Sequence, residues 1–128
     1  MAIVGLGLDL VQIERLREFL ERRGERALQR LFTTGERAYC ERRRATRFSS
    51  YAGRFAVKEA VMKLLGTGWA RGVRWVDIEV QRAPGRAPEV VLHGATARIA
   101  QSKGIARIHV TITHDAGLAA AVAVAESA

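Results

Sequence analysis

Large and small residues alternate strictly from Ile3 to Val11, placing Val4, Leu6, Leu8 and Leu10 on one side of an extended backbone and Gly5, Gly7 and Asp9 on the other. This pattern predicts a strand whose leucine side meets the core and whose glycine side is bare. Two glycines weaken a strand, and close approach of another backbone or a ligand beside Asp9 would account for them. Asp9 suits two roles, a cap on the helix that follows or a functional carboxylate. Ile13, Leu16 and Leu20 then recur at helical spacing among charged residues, with Gly24 as the stop. A second short helix carries Ala27, Leu28, Leu31 and Phe32. Thr33 with Glu36 forms a capping box that starts a third helix, which brings Tyr39 and Cys40 inward and ends in Arg42-Arg43-Arg44.

The central stretch, Arg54 to Leu65, predicts a helix capped by Ser49 or Ser50 and closed by Gly66. Val57, Ala60, Val61 and Leu64 form one apolar stripe, while Phe55, Ala56, Met62 and Leu65 spread apolar surface round most of the circumference. Such a helix is largely buried. Its charges gather on two lines, Glu59 with Lys63 and Arg54 with Lys58. The plain reading of Glu59 and Lys63 is a helical ion pair worth ~0.2 to 0.5 kcal/mol; the other reading is a functional site.

Beyond Gly66-Thr67-Gly68 the alternation returns. Val73 to Val80 reads as a strand, Pro84-Gly85 as the turn into Val90 to Leu92, and Ala95 to Lys103 as a helix. Ile108, Val110 and Ile112 mark another strand, running out at His114-Asp115. Helix propensity favours a helix for the alanine-rich run Leu118 to Val124, but a strand of similar length just before the Gly117 turn argues for a closing hairpin. The sum is an α+β fold in a single domain, 1-128: an antiparallel or mixed sheet of about five strands, with helices largely between the first and second.

Charge changes the picture. The 128 residues carry a formal +8, and 18 of the 21 basic side chains are arginine, so an acidic partner is expected: nucleic acid, a phosphorylated ligand or an acidic protein. Arg15 and Arg22, two turns apart on the first helix with Phe19 between them, are placed to meet an acidic helix. Cys40, the single cysteine, excludes a disulfide framework and a thiolate zinc cluster and fits a reducing cytosol. No run is apolar enough to span a bilayer, and no positively charged leader precedes Asp9.

Asp9 and Glu59 are hard carboxylate ligands on two rigid elements, with Lys58 and Lys63 nearby in sequence. Magnesium takes one or two carboxylates and completes its shell with water and phosphate oxygens, as phosphoryl-type transfer needs. A small RNA- or DNA-binding module is the rival reading, carried by the arginine run, but it leaves Asp9, Glu59 and the glycine strand without a role.

Gly5-Leu6-Gly7-Leu8-Asp9-Leu10, Gly53-Arg54-Phe55-Ala56-Val57-Lys58-Glu59-Ala60 with Lys63 and Gly66-Thr67-Gly68, Trp75 to Val80, and His109 to Asp115 together resemble the short bacterial 4′-phosphopantetheinyl transferases, the holo-[acyl-carrier-protein] synthases. The resemblance covers nearly the whole chain in order. It implies that fold and a magnesium-dependent transfer of the phosphopantetheine arm of coenzyme A to a serine of apo-acyl carrier protein. The by-product is adenosine 3′,5′-bisphosphate, and the activity supports fatty acid biosynthesis in the cytoplasm. The resemblance further implies Asp9 and Glu59 as metal ligands and, with Lys63, as the catalytic set. Arg54, Lys63, Gly66, Thr67, Gly68 and His114 would contact coenzyme A, and Arg15, Phe19 and Arg22 would dock the carrier protein. A homotrimer with sites between subunits is implied too, and no nucleic acid or membrane partner.

Overall fold

Alanine at every second position of the last strand decides how the layers meet. In the computed structural model, which describes residues 1–68 and 70–128, strand β5 (Leu118–Ser127) is central, flanked antiparallel by β1 (Ile3–Gln12) and β4 (Ile105–Asp115). Ala119, Ala121, Ala123 and Ala125 face the long helix α4 (Arg47–Leu65) and are fully buried. The β1 residues paired with them are Val11, Asp9, Gly7 and Gly5, so the helix lies on a bed of very small side chains. At Gly7 the approach is extreme: a Cβ there would sit 1.8 Å from the Ala60 carbonyl oxygen.

This reverses the expected faces of β1. The glycine side is the covered one, and Leu6, Leu8 and Leu10 on the other side are 66%, 58% and 63% exposed. Alternation separates two faces of a strand but does not say which is buried. Here the requirement for backbone-to-backbone contact with α4 selects glycine for the buried side.

Between β1 and the rest come α1 (Ile13–Arg23), α2 (Glu25–Leu31) and α3 (Thr34–Arg42), whose Leu16, Leu20, Ala27, Leu31 and Cys40 enter the core. Helix α4 begins at Arg47, earlier than expected; Thr46 precedes it without a side-chain cap, and Ser49 and Ser50 lie inside the helix. Its end is as expected, Gly66 at φ 73 with its N–H shared between the Met62 and Lys63 carbonyls. Val73 to Val80 is not one strand. Trp75–Asp77 is a turn of 3-10 helix, and β2 (Ile78–Gln81) starts after it, pairing with β3 (Glu89–Leu92) in a separate two-stranded hairpin. Helix α5 (Gly94–Ser102) leads to β4. The class is α+β, with five strands among the described residues, paired antiparallel in two sheets instead of one. The alanine-rich segment is a strand, because a central position covered by a close helix outweighs alanine's local preference.

Lys58 and Glu36 tie the two parts together. Both side chains are fully buried. The Lys58 ammonium donates to Glu36 Oε1 at 2.8 Å and to the carbonyls of Trp75 and Ile78 at 3.0 and 2.6 Å. Glu36 also accepts from Thr33 N, closing the capping box, and through Oε2 from Val80 N. Burial pulls Lys58 below the ordinary lysine range, and the Glu36 carboxylate works against that pull. No described helix is long and apolar enough to cross a membrane.

Candidate active site

The Gly7–Ala60 crossing positions three of the sequence-identified groups. Glu59 and Lys63 lie one residue before and three after the contact on α4, and Asp9 follows two residues after Gly7 on the same helix-facing side of β1. The Lys63 ammonium donates to Asp9 Oδ1 at 2.9 Å and to the Leu8 carbonyl at 3.0 Å. Its partner is therefore across the crossing, not Glu59 one turn away. Nor does Asp9 cap α1, whose N-cap is Gln12 without a side-chain bond.

Burial raises the pKa of Glu59, and the Asp9 charge adds to the rise while Lys63 opposes it. Two carboxylates thus stand near one ammonium, which is hydrogen-bonded to Asp9. Among the described residues there is no group of three or more His, Cys, Asp or Glu suited to a metal. Magnesium requires only one or two carboxylates, with water and phosphate oxygens completing its shell. The donor set fits magnesium.

Asp9 and Glu59 open into a groove of about 610 Å³ lined by Leu16, Phe19, Phe55 and Trp75, with Arg15 and Arg30 on its walls. Phe55 stacks on Trp75 at 5.0 Å between ring centroids, giving the groove a flat aromatic wall. On α1, Arg17 is held by Glu14 and Glu21. Arg15 and Arg22 make no ion pair among the described residues and both are exposed. Phe19 and Arg15 line the groove, whereas Arg22 stands on α1 outside its lining. Gly66, Thr67 and Gly68 follow α4 directly, Gly66 and Gly68 both at positive φ and the Thr67 hydroxyl turned to the Gly68 carbonyl.

Three further residues singled out in the sequence have other partners. Lys58 points away from Asp9 into the Glu36 pair. Arg54 is buried, its guanidinium 3.9 Å from the centre of the Tyr39 ring, and its Nε has no hydrogen-bond partner among the described residues. His114 Nε2 lies 2.9 Å from the Ser49 carbonyl and packs on Gly53. His114 and Asp9 share the helix-facing side of the sheet but belong to its two opposite edge strands, roughly 10 Å apart at the ordinary strand spacing. The residues expected to contact coenzyme A thus form two groups within one chain.

A sequence profile of the 4′-phosphopantetheinyl transferase superfamily matches residues 5–123. The chain belongs to that superfamily. It is 46% identical over 125 residues to a holo-[acyl-carrier-protein] synthase of Solibacter usitatus, covering 98% of this chain and 99% of the relative. The crystal structure of the holo-[acyl-carrier-protein] synthase of Neisseria meningitidis superposes with a TM-score of 0.88 at 26% identity, over 98% of this chain and 100% of the other. The Helicobacter pylori enzyme in complex with coenzyme A gives a TM-score of 0.81 at 31% identity, over 94% and 99%. As a superfamily member the chain is an enzyme, a transferase. Within this superfamily fold, sequence reading missed three contributors to the site region: Ala60 as the contact for Gly7, the Phe55–Trp75 wall, and Arg30. Only the first left a signal, in glycines set opposite an unusually apolar helix.

Proposed function

We propose that this protein, as a single transferase domain spanning 1–128, moves the 4′-phosphopantetheine arm of coenzyme A onto a serine of apo-acyl carrier protein. The reaction releases adenosine 3′,5′-bisphosphate. The observation that carries the reading is the Asp9, Glu59 and Lys63 cluster, assembled where α4 crosses β1 beside a groove walled by the exposed Arg15. In the reaction the serine oxygen bonds to the phosphorus that carries pantetheine, and the bond from that phosphorus to the leaving bisphosphate breaks. Asp9 and Glu59 would hold magnesium. When bound there, the metal would supply charge neutralisation to the diphosphate. Lys63 stabilises charge on the departing phosphate, and a carboxylate or water takes the serine proton. Arg54, His114 and the Gly66 to Gly68 backbone serve coenzyme A; Arg15, Phe19 and Arg22 serve the acidic carrier protein.

The active species on this reading is a homotrimer with shared sites. Support comes from the exposed Leu6, Leu8 and Leu10 face, an apolar patch of the kind that marks interfaces, and from the separation of His114 and Arg54 from Asp9 within one chain. A neighbour could bring the two groups together. The enzyme would act in the cytoplasm and serve fatty acid biosynthesis, with no nucleic acid or membrane partner. Mass spectrometry of apo-acyl carrier protein incubated with the protein, coenzyme A and magnesium should show one phosphopantetheine added; an unchanged mass overturns the proposal. Sedimentation at micromolar concentration should give a trimer, and Leu8→Asp should dissociate it. A fully active monomer would remove the shared-site reading.

A further inference from the structure

The Asp9–Lys63 pair is unequal. The Asp9 side chain is 14% exposed and anchored beside the Gly7 crossing, whereas the Lys63 side chain is 56% exposed on a flexible stem. The ammonium lies against two oxygens, Asp9 Oδ1 and the Leu8 carbonyl, at 2.9 and 3.0 Å. It thereby sits against one member, Asp9, of the carboxylate pair Asp9 and Glu59 that lines the groove among the described residues. A divalent cation joining those carboxylates must come close to Lys63 Nζ, and two cations on one carboxylate repel strongly where water is partly excluded.

We propose that Lys63 is a placeholder cation that couples the metal to the diphosphate: it stays on Asp9 until a phosphate oxygen offers it a new counter-charge. This rests on Asp9 and Glu59 being the metal ligands. The coupling follows from charge. A cation arriving at Asp9 displaces the ammonium, and an anionic diphosphate receives it, so each removes the obstacle to the other. Reciprocity requires that coenzyme A strengthen metal binding by the factor by which the metal strengthens coenzyme A binding. The exposed stem lets Lys63 move while Asp9 stays fixed, so the lysine, not the ligand, makes the adjustment.

The test is Mn²⁺ binding to the full chain, read by the electron paramagnetic resonance of free Mn²⁺, without and with coenzyme A. Lys63→Ala and Lys63→Gln should each bind Mn²⁺ alone about tenfold more tightly than wild type. Arg15→Ala, which removes one positive charge from the groove wall without touching Asp9, should stay within about twofold. Coenzyme A should raise the Mn²⁺ affinity of wild type by about tenfold or more, and that enhancement should shrink severalfold in both Lys63 variants. If the Lys63 variants bind Mn²⁺ no more tightly than wild type, or no more tightly than Arg15→Ala, the placeholder role is overturned. Asp9→Asn separates the two failures: wild-type Mn²⁺ affinity in that variant overturns the ligand assignment itself, whatever the Lys63 variants do.

Discussion

Helix α4 carries two ammonium–carboxylate pairs five residues apart, nearly equal in length and opposite in use. Lys58 meets Glu36 at 2.8 Å and Lys63 meets Asp9 at 2.9 Å. Around the first pair nothing is exposed, and all three Lys58 donors are spent on one carboxylate and two carbonyls. The second pair has a lysine more than half in solvent, with one donor left over. Contact length therefore says little about role. A pair that cannot reach water holds elements in place, and one that opens to a groove can exchange its partner for a substrate group.

The sharpest way to break this contrast is Lys58→Met. It leaves the Glu36 carboxylate buried without a counter-charge and strips the Trp75 and Ile78 carbonyls of a donor. Losses of this kind run to ~3–5 kcal/mol, and urea unfolding should show a drop of that order; a loss under about 1 kcal/mol would mean the buried pair is not what holds α3, α4 and β2 together. Glu59→Gln comes next. It should lower the transfer rate by about 100-fold or more, the scale of losing one electrostatic contributor, and leave the melting temperature near wild type. Normal transfer by this variant at limiting magnesium would remove Glu59 from the ligand set.

Arg15→Glu should act on the groove wall alone. It is expected to raise the KM for acyl carrier protein by about tenfold, ~1.4 kcal/mol, with the KM for coenzyme A unchanged. Added salt should weaken the wild-type interaction, since the Debye length is only ~8 Å at physiological ionic strength. A variant that instead lost coenzyme A would return α1 to ordinary solvation.

Lys63→Ala should change stability least, within about 1 kcal/mol at neutral pH, as exposed pairs do. Its signature is in the pH profile. The hydrogen bond to Asp9 raises the pKa of Lys63 above the ordinary value of 10.5, so the folded chain holds that proton more tightly than the unfolded one. The pair's contribution is complete below that ordinary value and fades as pH climbs through the folded one. Wild type should show this alkaline loss by thermal melts, and Lys63→Ala should lack it. Equal slopes in the two proteins would make the exposed pair energetically silent.

How much was legible beforehand can be judged from particular residues. Helix stops at Gly24 and Gly66, the Thr33–Glu36 capping box and the Pro84-Gly85 turn are local, so neighbouring residues were enough to place them. The pairing of Asp9 with Glu59 and Lys63 rested on a resemblance carried by two short stretches some 50 residues apart in the chain. Their physical convergence needed the Gly7–Ala60 crossing.

What the sequence by itself determined is periodicity and chemistry: where strands alternate, where helices end, which carboxylates stand on rigid elements, and that the surface is basic. Tertiary structure alone decided which side of each pattern is covered. Val4 to Leu10 alternates the same way whichever face meets a helix, and Lys58 and Lys63 read alike until their surroundings are present. Burial and charge compensation are properties of what packs against a residue from distant parts of the chain. No local pattern holds that information. Here it was supplied by a helix able to approach a strand closely because glycine and alanine leave it room.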